Sequence, residues 1–478
     1  MKIRAAARTI TMPLGIRRTV LVILLTMVIP LAGFGGDFTS ATASAGAALP
    51  VTPYPRLPGL PTVSAYRLGL NGQEVPVYEH PAGRFAILRA NAKLGLTLER
   101  LGTPVVSAVL RPMACVSQPK VAAGRVQFQL PGPGTYALEL DGEQLQPLFL
   151  FVKPPESIPD PASVTYFFAP GKVHELPGGV LTLKDGESAY IAGGAVVQGS
   201  INVGVQKDAE GYGRGARVPV KAAAKDIRIT GQGVISPSEK GMPLAVFNAE
   251  RVHLEGLTVL NTNQWTVRLF NVSKSTLSGL HVFATGKYSD GLDLLGCTDI
   301  LVRDSFFRSE DDCVAIKGQK FDVVGGNVER IALENLVIWH GLSGNGIEIG
   351  WELGVEHVKD ITVRHCNIMH SDCRPKAFKR AALSIHNSGG AAVSNILYED
   401  INIEQARESL VHLWVGKSDF NKGSTKIGSI TGVTYRRLRY LDGPPLPITI
   451  DSQEAPGNIK NITFEDCTIL GKQLTTPK

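Results

Sequence analysis

The chain of 478 residues lacks the long periodic apolar runs of helical proteins and lacks most of the widespread catalytic motifs. Its 51 glycines and 30 prolines divide it into short apolar segments, which excludes helical bundles and helical repeats. The motifs G-x-S-x-G and H-E-x-x-H and the P-loop do not occur. Serine hydrolases, zinc proteases and nucleotide-dependent enzymes therefore have no support, and an all-β protein is indicated.

Cysteine is also scarce, with six residues and no C-x-x-C pair. The spacing does not indicate a zinc site, and neither a metal nor another cofactor is predicted. Four of the cysteines fall on predicted strands, where small buried thiols are the commoner use. A disulfide between Cys366 and Cys373, the closest pair in the sequence, stays open as an alternative.

Most of the net positive charge of the chain comes from its first 45 residues. The chain has 49 basic and 43 acidic residues, and residues 1–45 contribute five of the basic and one of the acidic residues. The remaining 44 basic and 42 acidic residues give a net charge of about +2, and no basic stretch is interleaved with aromatic residues. These features do not predict nucleic-acid binding.

The amino terminus has the pattern of an export signal. Five basic residues precede the apolar run at residues 20–31, and Ala43-Ser44-Ala45 then offers a small-residue cleavage site. The run is too short to cross a bilayer, so no membrane span is predicted in the mature protein. We expect a signal peptide at residues 1–45, a linker at residues 46–65, and a periplasmic or extracellular monomer.

Two β-rich regions follow the linker. Residues 66–152 contain short alternating segments and predict a β-sandwich domain. Residues 160–475 repeat a short β motif every 23 to 37 residues, which is typical of a stacked solenoid. This region predicts a catalytic domain with the fold of a right-handed parallel β-helix. One internal apolar ladder should contain Leu257, Leu280, Leu336 and Ile401.

Three aspartates occur within the repeats in an arrangement that suggests catalysis. Asp290 lies in Y-S-D-G-L-D, and Asp311 and Asp312 follow in E-D-D-C-V-A-I-K, twenty-one and twenty-two residues later. One coil of a β-helix between them would bring the three carboxyl groups to the same face. Paired carboxyl groups act as acid and base in glycoside hydrolysis. The alternative is that these aspartates only cap turns, as single aspartates at strand ends commonly do.

The same segment resembles the polygalacturonase-type glycoside hydrolases of family 28, whose motifs are N-T-D, G-D-D, G-H-G and R-I-K. Residues 289–291 match the first motif with one change, and residues 310–313 match the second with Glu in place of Gly. The resemblance implies an inverting hydrolase in which Asp311 protonates the leaving oxygen while Asp290 and Asp312 activate water. In inverting enzymes the acid and base lie roughly 6.5–9.5 Å apart.

The other two motifs depart from the family pattern. Asn345 stands where the G-H-G histidine is expected, and Ser384 and His386 stand where R-I-K has its cations. In the family these cations contact a uronate carboxylate, and Ser cannot replace a bidentate Arg. The combination resembles a variant bacterial branch of the family. We expect intact hydrolytic residues, weakened binding of galacturonate, and Asn345 in contact with substrate.

Two outward-facing residues on the later strands are candidates for substrate binding. Glu348 alternates with residues that should point into the β-helix, and His386 alternates with Ile385 in the same way. For each of them the alternative is a solvated residue on the face of a sheet.

Lys317 and Trp351 complete the candidate binding set. Lys317 is expected either to contact a substrate oxygen or to neutralise the aspartates. Trp351 is expected either to stack on a sugar ring or to pack at a corner of the coil. Trp265 and Trp414 have apolar surroundings in the sequence and are interpreted as structural.

Later coils are longer than early ones, and the extra residues should leave the coil as loops at 320–328, 371–380 and 417–426. Loops from successive coils project on one side and form cleft walls. The middle loop carries four basic residues. These residues are either solvated or substitutes for the missing uronate-binding cations.

The sequence as a whole indicates an exported glycoside hydrolase acting on a polysaccharide, with pectic galacturonan as the substrate that the resemblance implies. Three alternatives stay open. They are a β-helix glycanase acting on a non-pectic, dextran-like glycan, a polysaccharide lyase, and a non-catalytic carbohydrate-binding β-helix. The aspartate triplet argues against the last, because binding alone does not need it.

Overall fold

The computed structural model describes residues 54–204, 224–237, 242–262, 264–318, 326–372, 380–421, 426–452 and 455–474. The predicted signal peptide and the start of the predicted linker lie outside these ranges and stay predictions. Most of the loops predicted at 320–328 and 371–380 also lies outside the described residues. Within the described ranges, no helix is long and apolar enough to cross a membrane.

The amino-terminal part of the described chain is built from ten strands. They are β1 (Tyr66–Leu70), β2 (Gln73–Val75), β3 (Tyr78–His80), β4 (Gly83–Arg89), β5 (Leu94–Arg100), β6 (Ala108–Arg111), β7 (Lys120–Ala122), β8 (Arg125–Leu130), β9 (Gly134–Leu140) and β10 (Leu148–Lys153).

These strands form two five-stranded sheets, in the orders β2-β1-β5-β8-β7 and β3-β4-β10-β9-β6. Strand β8 alternates exposed and buried residues along its whole length, as a sheet with one face on a core requires. Leu96 and Phe128 from the first sheet share a buried cluster with Leu138 and Leu150 from the second. The two sheets therefore pack face to face as a β-sandwich.

The rest of the described chain is a succession of short strands with a 3₁₀ turn at Pro161–Ser163 and another at Asp419–Asn421. The first strands are β11 (Tyr166–Phe168), β12 (Val173–Leu183), β13 (Ser188–Ile191), β14 (Val196–Val203), β15 (Ala224–Thr230), β16 (Val234–Ser236), β17 (Leu244–Glu255), β18 (Thr258–Asn261), β19 (Val267–Ser278), β20 (His281–Ala284), β21 (Leu292–Leu295), β22 (Thr298–Arg303), β23 (Phe306–Ser309) and β24 (Val314–Lys317). The later ones are β25 (Val328–Glu334), β26 (Val337–His340), β27 (Ile347–Trp351), β28 (His357–Arg364), β29 (Asn367–Ser371), β30 (Leu383–Asn387), β31 (Ala392–Glu399), β32 (Asn402–Ala406), β33 (Val411–Val415), β34 (Ser429–Arg436), β35 (Arg439–Tyr440), β36 (Ile448–Asp451), β37 (Ile459–Glu465), β38 (Thr468–Ile469) and β39 (Lys472–Gln473).

The pairing of these strands is that of a β-helix. From β20 to β35 each strand pairs in parallel with the strand three positions later, so three stacked sheets run along the molecule. One continuous apolar cluster fills the interior, and it contains Leu257, Leu280, Leu336 and Ile401. The prediction of a right-handed parallel β-helix preceded by a β-sandwich is confirmed.

The sandwich packs against one outer face of the β-helix. Phe149 and Phe151 of β10 belong to the same buried cluster as Phe283, Phe306 and Trp339 of strands β20, β23 and β26. The ring centroids of Phe149 and Trp339 lie 5.2 Å apart. This apolar contact covers the sheet formed by those strands and leaves the sheet that contains β21, β24 and β27 to present the candidate site.

A buried ion network adds to this contact. Arg111 of β6 lies 2.6 Å from Glu139 of the sandwich and 2.6 Å from Glu404 of β32. Both carboxylates are almost fully buried, so removing the arginine would leave two unpaired buried charges.

Five of the six cysteines lie in the described ranges, all with free thiols, and four of these are buried. Burial raises the pKa of Cys297, Cys313 and Cys366 to about 12, as expected of small core residues. Cys373 lies outside the described residues, so a bridge to it stays untested.

Candidate active site

Asp290, Asp312 and Asn345 occupy the same position in three successive coils, immediately before strands β21, β24 and β27. The amide of Gly291 donates to the Asp312 carbonyl at 2.9 Å, and the amide of Cys313 donates to the Asn345 carbonyl at 3.0 Å. Since each coil adds one strand spacing of about 4.8 Å, residues far apart in sequence become stacked neighbours. The spacing of twenty-two residues from Asp290 to Asp312 is therefore one turn of the β-helix.

Lys317 is buried against this stack. Its Nζ lies 2.9 Å from Oδ2 of Asp290 and 2.7 Å from Oδ1 of Asp293, and the residue is only 4% exposed. Burial acts to lower the pKa of Lys317, but Asp290 and Asp293 outweigh it and hold that pKa well above its ordinary value. The ammonium therefore stays charged, and it also lies 4.1 Å from the ring centroid of Trp265.

Asp312 is held in place by Asn345. Its Oδ1 accepts hydrogen bonds from the backbone amide of Asn345 at 2.7 Å and from the side-chain Nδ2 at 3.1 Å. Burial raises the pKa of Asp312 well above its ordinary value, and the charges of Asp290 and Glu348 raise it further. Asn345 thus orients one of the candidate bases.

Asp311 lies beside this group and is half-buried. Burial raises its pKa well above the ordinary range, and the negative charges of Asp290 and Asp312 add to that effect. Gly344, with φ of +75°, leaves room for the Asp311 carboxyl group, because a Cβ at this position would overlap Oδ1. Asp311 is therefore the one of the three with the combination of access and raised pKa that a proton donor needs.

Glu348, Ser384 and His412 form one outward row across strands β27, β30 and β33. The Glu348 carboxyl group accepts a hydrogen bond from Ser384 Oγ, and its two oxygens lie 3.0 and 2.9 Å from His386 Nδ1. His386 Nε2 in turn lies 2.7 Å from Nδ1 of His412. Gly350, with φ of +143°, permits this close approach, since a Cβ there would overlap Glu348 and the His386 carbonyl.

The structure brings together Asp290, Asp311 and Asp312, with Asn345 and Lys317 bound directly to two of them. The other three candidate binding residues contact one another, and their roles in substrate binding stay predictions. Glu348 and His386 both face outward, but they are fully buried, and they hydrogen-bond to each other. Trp351 stacks on His386 at a centroid distance of 4.3 Å, so it forms part of their cover.

Sequence reasoning missed three residues of this site. Asp293 is completely buried and binds Lys317, and the D-G-L-D spacing contained that information, because Asp293 is outward on β21. His412 could have been found from the alternation of V-H-L-W-V. Trp265 is buried in an apolar cluster, as its sequence surroundings indicate, but its additional contact with Lys317 depends on a long side chain that spans neighbouring coils, and no local pattern reveals this.

The raised pKa of Asp311 predicts a pH-dependent effect on stability. A carboxyl group whose pKa is higher in the folded state contributes stability below its unfolded pKa of 3.8 and loses that contribution as pH rises through the folded pKa. Asp311→Asn should therefore leave the free energy of unfolding nearly unchanged at about pH 3 and raise it at about pH 7. Urea unfolding at the two pH values measures this.

Asp226 offers a matched control with the opposite sign. It is exposed, and its hydrogen bond with Arg251 lowers its pKa. Asp226→Asn should therefore lose a little stability at neutral pH. A lower free energy of unfolding for Asp311→Asn at neutral pH would contradict this prediction, because it would mean that the folded protein stabilises the ionised Asp311 carboxylate.

A parallel β-helix whose outer face carries three converging carboxyl groups is the architecture of a β-helix glycoside hydrolase. The chain belongs to a particular family of that class, glycosyl hydrolases family 28, because the model of that family matches residues 230–471, which is more than half of the sequence.

Individual relatives are distant and match only part of the chain. A probable exopolygalacturonase B of Aspergillus fumigatus is 24% identical over 213 residues, which cover 36% of this chain and 47% of the relative. The exopolygalacturonase rpg15 of Rhizopus delemar is 29% identical over 155 residues, which cover 31% of this chain and 37% of the relative. The chain spans about half or less of the length of these relatives.

Among solved structures, Dex49A from Penicillium minioluteum aligns with 89% of this chain and 92% of its own, with a TM-score of 0.52 and 14% identity. At this identity the likeness concerns the fold alone. It covers both the sandwich and the β-helix.

Proposed function

We propose that this protein hydrolyses glycosidic bonds of a polysaccharide by single displacement with inversion at the anomeric carbon. Asp311 donates a proton to the leaving oxygen, while Asp290 and Asp312 activate the attacking water. The convergence of these three carboxyl groups, with Asp311 both accessible and raised in pKa, is the observation that carries the proposal.

Lys317 and Asn345 hold the two candidate bases. Lys317 keeps the Asp290 carboxylate paired, and Asn345 fixes the orientation of Asp312 through two hydrogen bonds. This arrangement is preorganised, because the groups that hold the bases are themselves buried and need not move during the reaction. The mechanism requires no metal ion.

We propose a pectic, galacturonan-type polymer as the substrate, acted on outside the cytoplasm by a monomer. The curated relatives are named exopolygalacturonases, which supports the polymer class, and the leader-like residues 1–45 support export. The departures at Ser384 and His386 bear on which sugar unit each subsite accepts.

A panel of galacturonan, dextran and arabinan, with the products separated by size, tests the proposed activity. We expect hydrolysis products from galacturonan and none from the Asp311→Asn protein on any polymer. Products that absorb in the ultraviolet and vanish with a chelator would instead identify a polysaccharide lyase. Binding of a polymer without any products would identify a non-catalytic carbohydrate-binding protein.

A further inference from the structure

Three aromatic side chains lie together beside the buried His386, and we call them the aromatic platform: Trp351, Trp414 and Phe420. The Trp351 ring centroid lies 5.1 Å from that of Trp414 and 5.7 Å from that of Phe420. Phe420 is 39% exposed, and the two tryptophans are partly exposed. Large apolar side chains grouped at a surface in this way mark a binding site more often than a core.

The aromatic platform is fixed in position by polar contacts of its backbone. Nδ2 of Asn421, the residue after Phe420, donates hydrogen bonds to the Trp351 carbonyl at 2.9 Å and to Ser388 Oγ at 3.0 Å. Ser388 Oγ also donates to the Trp351 carbonyl, at 2.6 Å. The 3₁₀ turn that carries Phe420 is thereby tied to the end of β27, and a ligand would meet rings that are already in place.

Beneath the aromatic platform lies a buried hydrogen-bonded cluster of four residues, Glu348, Ser384, His386 and His412. Burial raises the pKa of Glu348 to about 8, although the hydrogen bond from Ser384 opposes this, and burial lowers the pKa of His386 to about 3. Near neutral pH, Glu348 and His386 therefore carry little charge. Ser384 and His386 occupy the two strand positions where the family motif has permanent cations, and here they serve Glu348 rather than a ligand.

The described residues around the aspartates include charges of both signs. They include the acidic Asp290, Asp293, Asp311, Asp312 and Glu348, the last three with raised pKa values, and the basic Lys317 and Arg380. Lys317 is already paired with two aspartates, and Nη1 of Arg380 donates to Ser343 Oγ at 2.9 Å. Glu348 and His386, which lie beneath Trp351, carry little charge near neutral pH, so a sugar carboxylate stacked on the platform would lose hydration without an ion pair to either of them.

We propose that Trp351, Trp414 and Phe420 form a stacking subsite for an uncharged pyranose unit of the substrate chain. The proposal deepens the proposed hydrolysis and rests on it for the position of the scissile bond. A pyranose presents C–H groups to an aromatic face and keeps its hydroxyl groups at the edge, where water or polar side chains bind them. Trp351 is the last residue of β27, and β27 pairs with β24, the strand that follows Asp311 and Asp312.

Oligomers that differ only in the charge of their sugar units test the stacking subsite directly. Methyl-esterified galacturonan oligomers and the free-acid oligomers share one sugar and one linkage and differ in charge, and dextran oligomers supply an unrelated uncharged ligand. Binding of each to the Asp311→Asn protein is measured by calorimetry. This readout does not depend on turnover, so a failure of the proposed hydrolysis is seen separately in the product assay.

We expect an uncharged oligomer to bind about tenfold or more tighter than the free acid, and Trp351→Ala to remove about tenfold of that affinity. Trp351→Phe should restore most of it, and Phe420→Ala should weaken it. Phe167→Ala, at a partly exposed phenylalanine on the first coil, should have no effect. In the active protein, Trp351→Ala should raise KM and leave kcat nearly unchanged.

Three results would overturn the stacking subsite. They are equal or tighter binding of the free acid, no binding of any uncharged oligomer, and unchanged affinity for uncharged oligomers in Trp351→Ala. If the free acid binds equally or more tightly while galacturonan is hydrolysed normally, the stacking subsite is wrong and the proposed hydrolysis is still supported.

Discussion

Replacing Asp311 with asparagine should lower kcat by about 10²–10⁴-fold, because the leaving oxygen then has no positioned proton donor. Asparagine has nearly the shape of aspartic acid, and no neighbour depends on the ionised form of this half-buried group. Substrate affinity should therefore change little. Steady-state kinetics on the polymer identified in the panel, combined with calorimetric binding, measures both quantities.

Two comparisons make the Asp311 result specific. Asp226→Asn, on an exposed surface far from the cluster in sequence, should retain full kcat. Asp290→Asn and Asp312→Asn should also lower kcat, although sharing of the attacking water between the two bases can soften either loss. A near-normal kcat in Asp311→Asn would assign the proton donor to another residue.

Replacing Lys317 with methionine should destabilise the protein by about 3–5 kcal/mol and abolish activity. The change keeps most of the side-chain volume but leaves Asp290 and Asp293 buried and facing each other without a cation. Urea unfolding at neutral pH measures the loss of stability. Lys225→Met, at an exposed lysine on β15, should change the free energy of unfolding very little.

The partners of Lys317 can be separated by a double-mutant cycle. Asp293→Asn removes one of the two buried charges and should restore part of the stability that Lys317→Met loses, since fewer carboxylates then lack a partner. Activity should not return, because Asp290 stays unpaired. Full additivity of the two substitutions would show that Lys317 and Asp293 do not interact.

The repeat pattern and the aspartate triplet could be predicted because both depend on local rules. In a β-helix, alternation along a strand decides which residues face inward, so Leu257 and Leu280 could be placed in the core from sequence. The interval from Asp290 to the pair Asp311 and Asp312 is close to one coil length, and the stacking of Asp290 on Asp312 followed from that. Short sequence segments are thus enough to predict the fold of each coil and the position of the carboxyl groups.

The parts that could not be predicted depend on long side chains and on how outward residues are covered. Lys317 reaches back across the coil to Asp290, which depends on rotamers rather than on register. Alternation correctly indicated that Glu348 and His386 face away from the interior. It gave no sign that Trp351, at the end of β27, stacks on His386, because that contact depends on the rotamers of both side chains.

The stereochemistry of the first-formed product tests the central claim most directly. Proton NMR recorded during the first minutes of hydrolysis distinguishes the two anomers before mutarotation mixes them. Single displacement with Asp311 as acid and Asp290 and Asp312 as bases predicts that the new reducing end has the anomeric configuration opposite to that of the cleaved bond. A first product that retains the configuration would require a covalent intermediate on one of these aspartates and would contradict the proposed mechanism.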